Sequence, residues 1–327
     1  MPGPLEGIRV IDVSAIVSGP LATTMLATQG ADVIKVEPLT GDGLRGPANS
    51  RGGMNSFFAS SNRGKRSISL NLKSEEGLGI IYELVKQADV FVQNWRPGVA
   101  EQLKLSEQDL RALNKDLIYA SVSGYGDSGP LAHQPVYDPV IQAITGYVAL
   151  QKNPKAEEPD LVRNIEVDKA SALILAQSIT AALFARDRGA GGQSIHVPMI
   201  DVGLWFLFPD GGMKHTLIGD GVAYPGSIAE IYRLWKTQDG HIVQFAAAPH
   251  HFDAFACVLG HPEWLEEPRY LRPEVTKPEN RAELNALIEA ALIQFTTADI
   301  VEKLQAAEVP VAAVLTLDEV FEHEQIK

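Results

Sequence analysis

Apolar, β-branched residues run together over positions 8–14, and beyond Gly19-Pro20 the spacing changes to that of a helix that closes at Gly30. A second apolar run, 31–37, follows at once. Together these predict a β-α-β unit, with Pro20 in the first helical turn, where its missing N–H is no loss, and Gly30 just past the last turn. Further runs at 66–72, 89–95 and 117–123 read as strands and alternate with helical patterns at 75–87 and 107–114. Ser106 and Asp109 have the spacing of a capping box for the second of these helices. Strands alternating with helices of this length predict an α/β domain on a mainly parallel sheet covered on both faces.

After a Pro/Gly-rich turn region at 124–135, Asp138-Pro139 reads as an N-cap followed by proline at the first helical position. A long helix is predicted over 168–188, ending at the glycines of 189–192, with a strand at 193–200. The pattern breaks over 208–226, which reads as a linker. Two alternating runs, 228–236 and 241–247, are then joined by Thr237-Gln238-Asp239-Gly240, a hairpin signal because Asp-Gly suits positive φ. Helical patterns at 250–259, 279–294 and 298–307 and a strand at 309–315 complete a smaller α+β domain. The expected division is therefore a large domain over 1–207, a linker over 208–226, a small domain over 227–308 and a return linker over 309–327.

Charge narrows the possible partners. Of 327 residues 41 are acidic and 28 basic, a formal charge of −13 that repels nucleic-acid backbones and anionic membrane surfaces. Neither is expected as a partner, and a phosphate-bearing ligand needs a local basic cluster. The single cysteine, Cys257, can form no intrachain disulfide, and no CxxC or HExxH spacing suggests a metal site, so a reducing cytoplasm is expected. The N-terminal residues show no secretory pattern, and the apolar run at 170–185 is interrupted by polar residues and reads as a buried helix.

A dinucleotide-binding fold places GxGxxG after its first strand, but this chain has Ser14-Ala15-Ile16-Val17-Ser18-Gly19-Pro20 there. Glu37, at the end of the second strand, mimics the acid that binds a nicotinamide ribose and keeps an NAD(P)-dependent dehydrogenase open as a rival. No P-loop is present. The densest basic cluster is Asn62-Arg63-Gly64-Lys65-Arg66, with Lys73 beyond the next strand; it reads either as a solvated turn or as a phosphate site. Asn94-Trp95-Arg96-Pro97-Gly98 falls at the carboxyl end of a predicted strand, the edge where open α/β sheets bind ligands. Trp95 offers a stacking face and Arg96 a guanidinium for phosphate, so a phosphorylated adenine nucleotide such as coenzyme A is plausible.

These segments resemble one known family, the family III CoA-transferases, also called the formyl-CoA or carnitine CoA-transferase family. The resemblance is carried by Leu5-Glu6-Gly7-Ile8-Arg9-Val10-Ile11-Asp12, Ser18-Gly19-Pro20 and Gly30-Ala31-Asp32-Val33-Ile34-Lys35-Val36-Glu37-Pro38. It continues through Asn62-Arg63-Gly64-Lys65-Arg66-Ser67, Asn94-Trp95-Arg96-Pro97-Gly98, Ser121-Val122-Ser123-Gly124-Tyr125-Gly126, Tyr137-Asp138, Ala181-Ala182-Leu183 and Gly191-Gly192-Gln193. It implies a Rossmann-like large domain with a smaller α+β domain, no permanently bound cofactor, and acyl-CoA and carboxylic acid substrates. It also implies an aspartate nucleophile that passes through a mixed anhydride and an aspartyl-CoA thioester.

The nucleophile's position matches Asp168, just before the long helix; read without the resemblance, Asp168 is more simply an ordinary N-cap. Main chain at Ala15, Ile16 and Val17 is implied to lie near the reacting groups, and Leu70, Lys73, Asn94, Trp95 and Arg96 to help hold CoA. Formyl-CoA transferase relatives carry glutamine where this chain has Val17, which argues against formyl-CoA and oxalate as its substrates. The family's 2-methylacyl-CoA racemases are an alternative, but their histidine and glutamate fall at Tyr137 and near Pro249, beside His250 and His251. A non-catalytic CoA-binding protein is a further alternative. The resemblance also implies an interlinked homodimer and a C-terminal part of the large domain that this chain, stopping at Lys327, lacks. Residues 206–208 and 224–226 hint at an apolar acid substrate.

Overall fold

The computed structural model describes residues 3–46, 49–52, 54–152, 157–223, 232–246 and 248–327. They form two compact units, Met1–Pro209 and Asp210–Lys327. In the first unit six strands, β1 (Arg9–Asp12), β2 (Asp32–Glu37), β3 (Arg66–Ser69), β4 (Val90–Gln93), β5 (Ile118–Ser123) and β6 (Ser194–Pro198), make one all-parallel sheet. Numbered this way, the order across the sheet is 3-2-1-4-5-6. The helices are α1 (Ser18–Thr28), α2 (Ser56–Asn62), α3 (Glu75–Val85), α4 (Val99–Gln102), α5 (Glu107–Leu113), α6 (Asp138–Thr145), α7 (Tyr147–Gln151), α8 (Glu166–Ala185) and α9 (Met199–Gly211).

Why this layering forms is visible in the strand residues. Val10, Val33, Val90, Val92, Ile118, Ala120 and Val122 point to one core, packed under α1 and α8, while Ile11, Ile34, Val36, Phe91 and Tyr119 point to the other, with α3 and α5. A strand buried on both faces needs apolar residues at every position, and the near-continuous apolar runs follow from that. The Ser106–Asp109 capping box forms at α5 as expected.

Three local readings change. The helix expected from 168 begins at Glu166, ends at Ala185 and passes into a single wide turn over 186–190 that Gly189 closes at φ 93°. Asp138 does not cap α6: it is the helix's first residue, with Tyr137 at the cap position, because the Asp138 side chain is drawn to α8 instead. The passage read as a linker from 208 begins inside α9, which buries Met199, Val202 and Gly203 and tolerates Pro209 near its carboxyl end. Residues 224–226 of that passage lie outside the described residues.

The second unit holds α10 (Met213–Thr216), a three-stranded antiparallel sheet of β7 (Trp235–Lys236), β8 (His241–Gln244) and β9 (Val311–Ala313), and α11 (Pro249–Val258), α12 (Pro278–Leu292), α13 (Thr297–Ala306) and α14 (Leu317–Glu322). The β7–β8 hairpin pairs Trp235 with Ile242 across the predicted turn, and Trp235, Phe255, Trp264, Leu292 and Leu304 share its core. Positions 309–327, expected as a return linker, supply β9 and α14 to this unit; 228–231 and Ala247, expected as strand, lie outside the described residues.

Toward the carboxyl ends of β1 and β2 the row of valines gives way to buried charge. Asp12 is fully buried and binds Lys65 Nζ at 2.9 Å and Thr23 Oγ1 at 2.6 Å. Lys35 meets Asp42 at 2.9 Å with both side chains 1% exposed, and Glu37 holds Arg45 through two bonds of 2.7 and 2.8 Å. Burial alone would raise the Asp12 pKa, but Lys65, Lys35 and the Ser14 and Thr23 hydroxyls outweigh it and hold it at about 2. Removing one partner of such a pair strands a buried charge, so Lys65→Met should cost about 3–5 kcal/mol in urea unfolding at neutral pH. Because the folded pKa is depressed, wild-type stability from this pair is full above about 4 and lost as pH falls toward 2, a limb that the variant should lack. A loss below about 1 kcal/mol would show that the pair is dispensable.

Candidate functional site

In a sheet of this order the crossovers change direction between β1 and β4, and the crevice outside their carboxyl ends is where doubly wound folds bind ligands. Two turns face each other there. The side-chain amide of Asn94, just past β4, donates to the Ala15 carbonyl at 2.7 Å and accepts the Ala15 N–H at 2.9 Å. Trp95 is fixed by its own N–H, which donates to Gln93 Oε1 at 2.6 Å. The two lips are thus clamped together before any ligand arrives.

Ile16 lies at φ 69°. For a β-branched residue this left-handed region is strained by about 1–3 kcal/mol and persists only where neighbours enforce it. Lys35 Nζ grips the preceding carbonyl of Ser14 at 2.9 Å, and the Ile16 N–H leans on Asp42 Oδ1 at 3.4 Å. Gly19 is required by the same crowding, since a Cβ there would lie 2.4 Å from Ser14 Cβ and Oγ. The reversal at Ile16 delivers the chain to Ser18, the first residue of α1.

Asp168 meets Ser18 from the other side. It lies in the first turn of α8, two residues further into the helix than expected, and is only 9% exposed. The hydroxyl and backbone N–H of Ser18, at the amino end of α1 where the helix field favours negative charge, favour the charged form of its carboxylate. Its own N–H donates to Asp138 Oδ2 at 2.9 Å, so Asp138 satisfies an orphan donor of α8 from another helix. Burial first, and the Asp138 carboxylate second, push the Asp168 pKa up to about 6 against the opposing effect of Ser18. The result is a poorly solvated carboxylate that is ionised at neutral pH.

Asp168 opens into a cleft of about 290 Å³ that also takes in Ala15, Ile16, Val17, Asn94, Trp95 and Arg96. Seven of the nine residues singled out from the sequence therefore share one cleft. The other two do not line it: Leu70 is buried after β3, its N–H bonded to the Glu37 carbonyl at 2.9 Å, and Lys73 is exposed beyond it. Among the three turn residues the Ala15 N–H is already occupied by Asn94, whereas no partner is found for the Val17 N–H among the described residues. The basic cluster turns inward or sideways: Lys65 neutralises Asp12, and Arg66 pairs with Asp32 at 2.7 Å.

Tyr137 lines the same cleft, while Pro249 opens α11 in the second unit, where His251 Nδ1 accepts the Ala248 N–H at 3.3 Å as a helix cap. Phe206 and Phe208 stand half-exposed on α9 and do not reach the cleft. Sequence reasoning missed Ser18 and Asp138 as functional groups, although both lie inside segments it quoted. No group of three His, Cys, Asp or Glu side chains arranged for a metal ion occurs among the described residues.

Comparison with known proteins gives a consistent picture. The model of CoA-transferase family III matches residues 5–327. An acetyl-CoA:oxalate CoA-transferase of Acetobacter aceti is 35% identical over 97% of this chain and 82% of its own length. A succinyl-CoA:glutarate CoA-transferase of Mus musculus is 32% identical over 99% of this chain and 74% of its own. Among solved structures, Rv3272 from Mycobacterium tuberculosis superposes with TM-score 0.88 at 32% identity, covering 99% of this chain and 88% of that one. A CaiB/BaiF family protein from Brucella suis gives 0.85 at 30% identity, covering 100% and 88%.

The raised Asp168 pKa carries a stability cost. Since the folded value lies above the ordinary 3.8, the penalty for burying the charge appears as pH rises past about 4 and is complete above about 6. Asp168→Asn keeps the shape and an acceptor for Ser18 but no charge. It should stabilise the fold at pH 7.5 by about 1–3 kcal/mol in urea unfolding, with the gain fading toward pH 4. A variant equally destabilised at both pH values would contradict this reading.

Proposed function

Because the chain belongs to the family III CoA-transferases, we propose that it moves CoA from an acyl-CoA thioester to a carboxylic acid with Asp168 as the covalent nucleophile. The observation that carries this is the Asp168 carboxylate itself, stripped of most of its water yet kept ionised by the Ser18 donors at a helix start, in the cleft at the sheet's switch point. Desolvation removes the shell that makes an aspartate in water a weak nucleophile.

In the proposed sequence the carboxylate attacks the thioester carbonyl, the C–S bond breaks, and CoA leaves as thiolate, giving a mixed anhydride. The thiolate then attacks the Asp168 carbonyl and expels the donor acid as its carboxylate, leaving an aspartyl-CoA thioester. The acceptor carboxylate repeats these two steps in reverse order, which frees Asp168 and forms the new acyl-CoA. No electron pair or proton is gained or lost overall, so the reaction calls for no resident cofactor. Charge builds on the carbonyl oxygen in each addition. The N–H of Val17, a residue of the cleft wall, has no partner among the described residues and is the proposed donor to it. Trp95 and Arg96 are proposed to hold the nucleotide end of CoA by stacking and phosphate pairing.

The test is acyl exchange between a CoA thioester and a free acid. Asp168→Asn should lower it by about three orders of magnitude or more while CoA affinity changes little. For the wild type, kcat/KM should rise with pH through an apparent pKa near 6. Exchange at near wild-type rate by a verified, non-deamidated variant would remove Asp168 from this role.

We further infer a homodimer with interlinked chains. Supporting this, α9 leaves Trp205, Phe206 and Phe208 at 63%, 50% and 42% exposure, a larger apolar patch than isolated surface residues make. Linked chains cannot separate without unfolding, so sedimentation velocity should give one dimeric species at every dilution, whereas a reversible monomer would refute the linkage.

A further inference from the structure

We infer that Asp42, backed by Lys35, is a positioning residue for the reaction: it holds Ile16 in its left-handed conformation, and through that turn aims Val17 and Ser18 at the reacting centre. This rests on the reading of Asp168 as nucleophile. Asp42 is 4% exposed and forms no contact with the cleft that holds Asp168. Its polar atoms turn to the chain behind that cleft. Its Oδ2 meets Lys35 Nζ at 2.9 Å, its Oδ1 accepts the Leu44 N–H at 2.9 Å and the Ile16 N–H at 3.4 Å, and its own N–H donates to Glu37 Oε2 at 2.9 Å.

Lys35 completes the clamp by holding the Ser14 carbonyl, so residues 14 and 16 are gripped from one buried ion pair on either side of Ala15. Ala15 is fixed in turn by Asn94. Next to Asp42, Gly43 leaves room for the Ile16 side chain, since a Cβ there would lie 3.2 Å from Ile16 Cδ1. A β-branched residue does not stay at φ 69° unaided, and without the clamp the turn should relax to an ordinary conformation. Relaxation would swing the Val17 N–H off the cleft and pull the Ser18 donors away from Asp168. A burial network of this quality could serve stability alone, so the test must separate aim from fold.

Asp42→Asn leaves Lys35 unpaired and is prone to unfold, so the informative variant is Lys35→Met/Asp42→Leu, which replaces both charges by apolar side chains of similar size. Three titratable or charged groups line or face the cleft around Asp168, namely Asp138, Tyr137 and Arg96, and none is altered. The folded double variant should lose at least about tenfold in kcat, with KM for the acyl-CoA within about threefold. The midpoint of its pH–rate profile should move upward, because Asp168 loses the donors that favour its charge. Adding Ile16→Gly should restore several-fold of the lost kcat, since glycine enters the left-handed region without strain and no longer needs the clamp.

A double variant with wild-type kcat and midpoint would overturn the inference, and so would a loss that Ile16→Gly leaves unrepaired. Isolation of the aspartyl-CoA adduct from the wild type keeps the two levels apart. Its absence counts against Asp168 as nucleophile, whereas an adduct forming equally fast in wild type and double variant counts only against Asp42.

Discussion

Three carboxylates with almost no access to water, Asp12, Glu37 and Asp42, lie beneath the turn that follows β1, and the cleft depends on the cations that neutralise them. Lys65 reaches Asp12 from 53 positions away, while Lys35–Asp42 and Arg45–Glu37 join β2 to the turn that follows it, so the pairs tie β1, β2, the end of α2 and the 42–45 turn into one block. Ion pairs of this kind contribute little net stability over an apolar core of the same shape, and their use is to fix geometry. Here they fix a backbone reversal at an isoleucine, which a greasy filling of the same space would leave free to relax. What the reversal provides is the placement of Ser18 at the start of α1, where it favours the charged form of Asp168, and a Val17 N–H without a partner among the described residues.

The same electrostatics runs in the opposite sense a few residues away. Asp12 and Glu37 have cations and are held near 2, whereas Asp168 has only dipoles and a neighbouring carboxylate and is raised to about 6. A paired Asp168 would be more stable and less nucleophilic. The molecule therefore concentrates positive charge under the turn and gives none to Asp168, the proposed nucleophile, which separates the task of holding the site from the task proposed for that carboxylate. That division also explains why a chain with a large acidic excess commits Lys35, Lys65 and Arg45 to buried partners.

Much of the first unit was legible in the sequence because its four inner strands, β2, β1, β4 and β5, are buried on both faces and read as near-continuous apolar runs. Where the reading slipped, the cause was a partner remote in the chain. Lys65 looks like a ligand-facing cation in its own segment, and only the fold shows Asp12, 53 positions earlier, beneath it. Asp138 looks like the cap of its own helix, whereas its carboxylate reaches Asp168, 30 positions later. Helix α9 was missed because Pro209 and Gly211 read as a break; Pro209 falls in the last turn, so the i→i−4 bond it removes lies at the helix end and little helix follows it. Residues 15–17 and 94–96 could be read as neighbours because they follow strands β1 and β4, but the bonds among them could not. Asn94 and Ala15 spend their polar groups on each other, a pairing that no local pattern encodes.

The central claim is that the Asp168 carboxylate becomes covalently joined to CoA. The most direct measurement is intact-protein and peptide mass spectrometry after incubation with an acyl-CoA, with and without hydroxylamine. A CoA adduct confined to the peptide containing Asp168, converted by hydroxylamine to the hydroxamate of that residue with release of CoA, is the expected result. Active transfer with Asp168 unmodified under trapping, or with the adduct on another side chain, would contradict it.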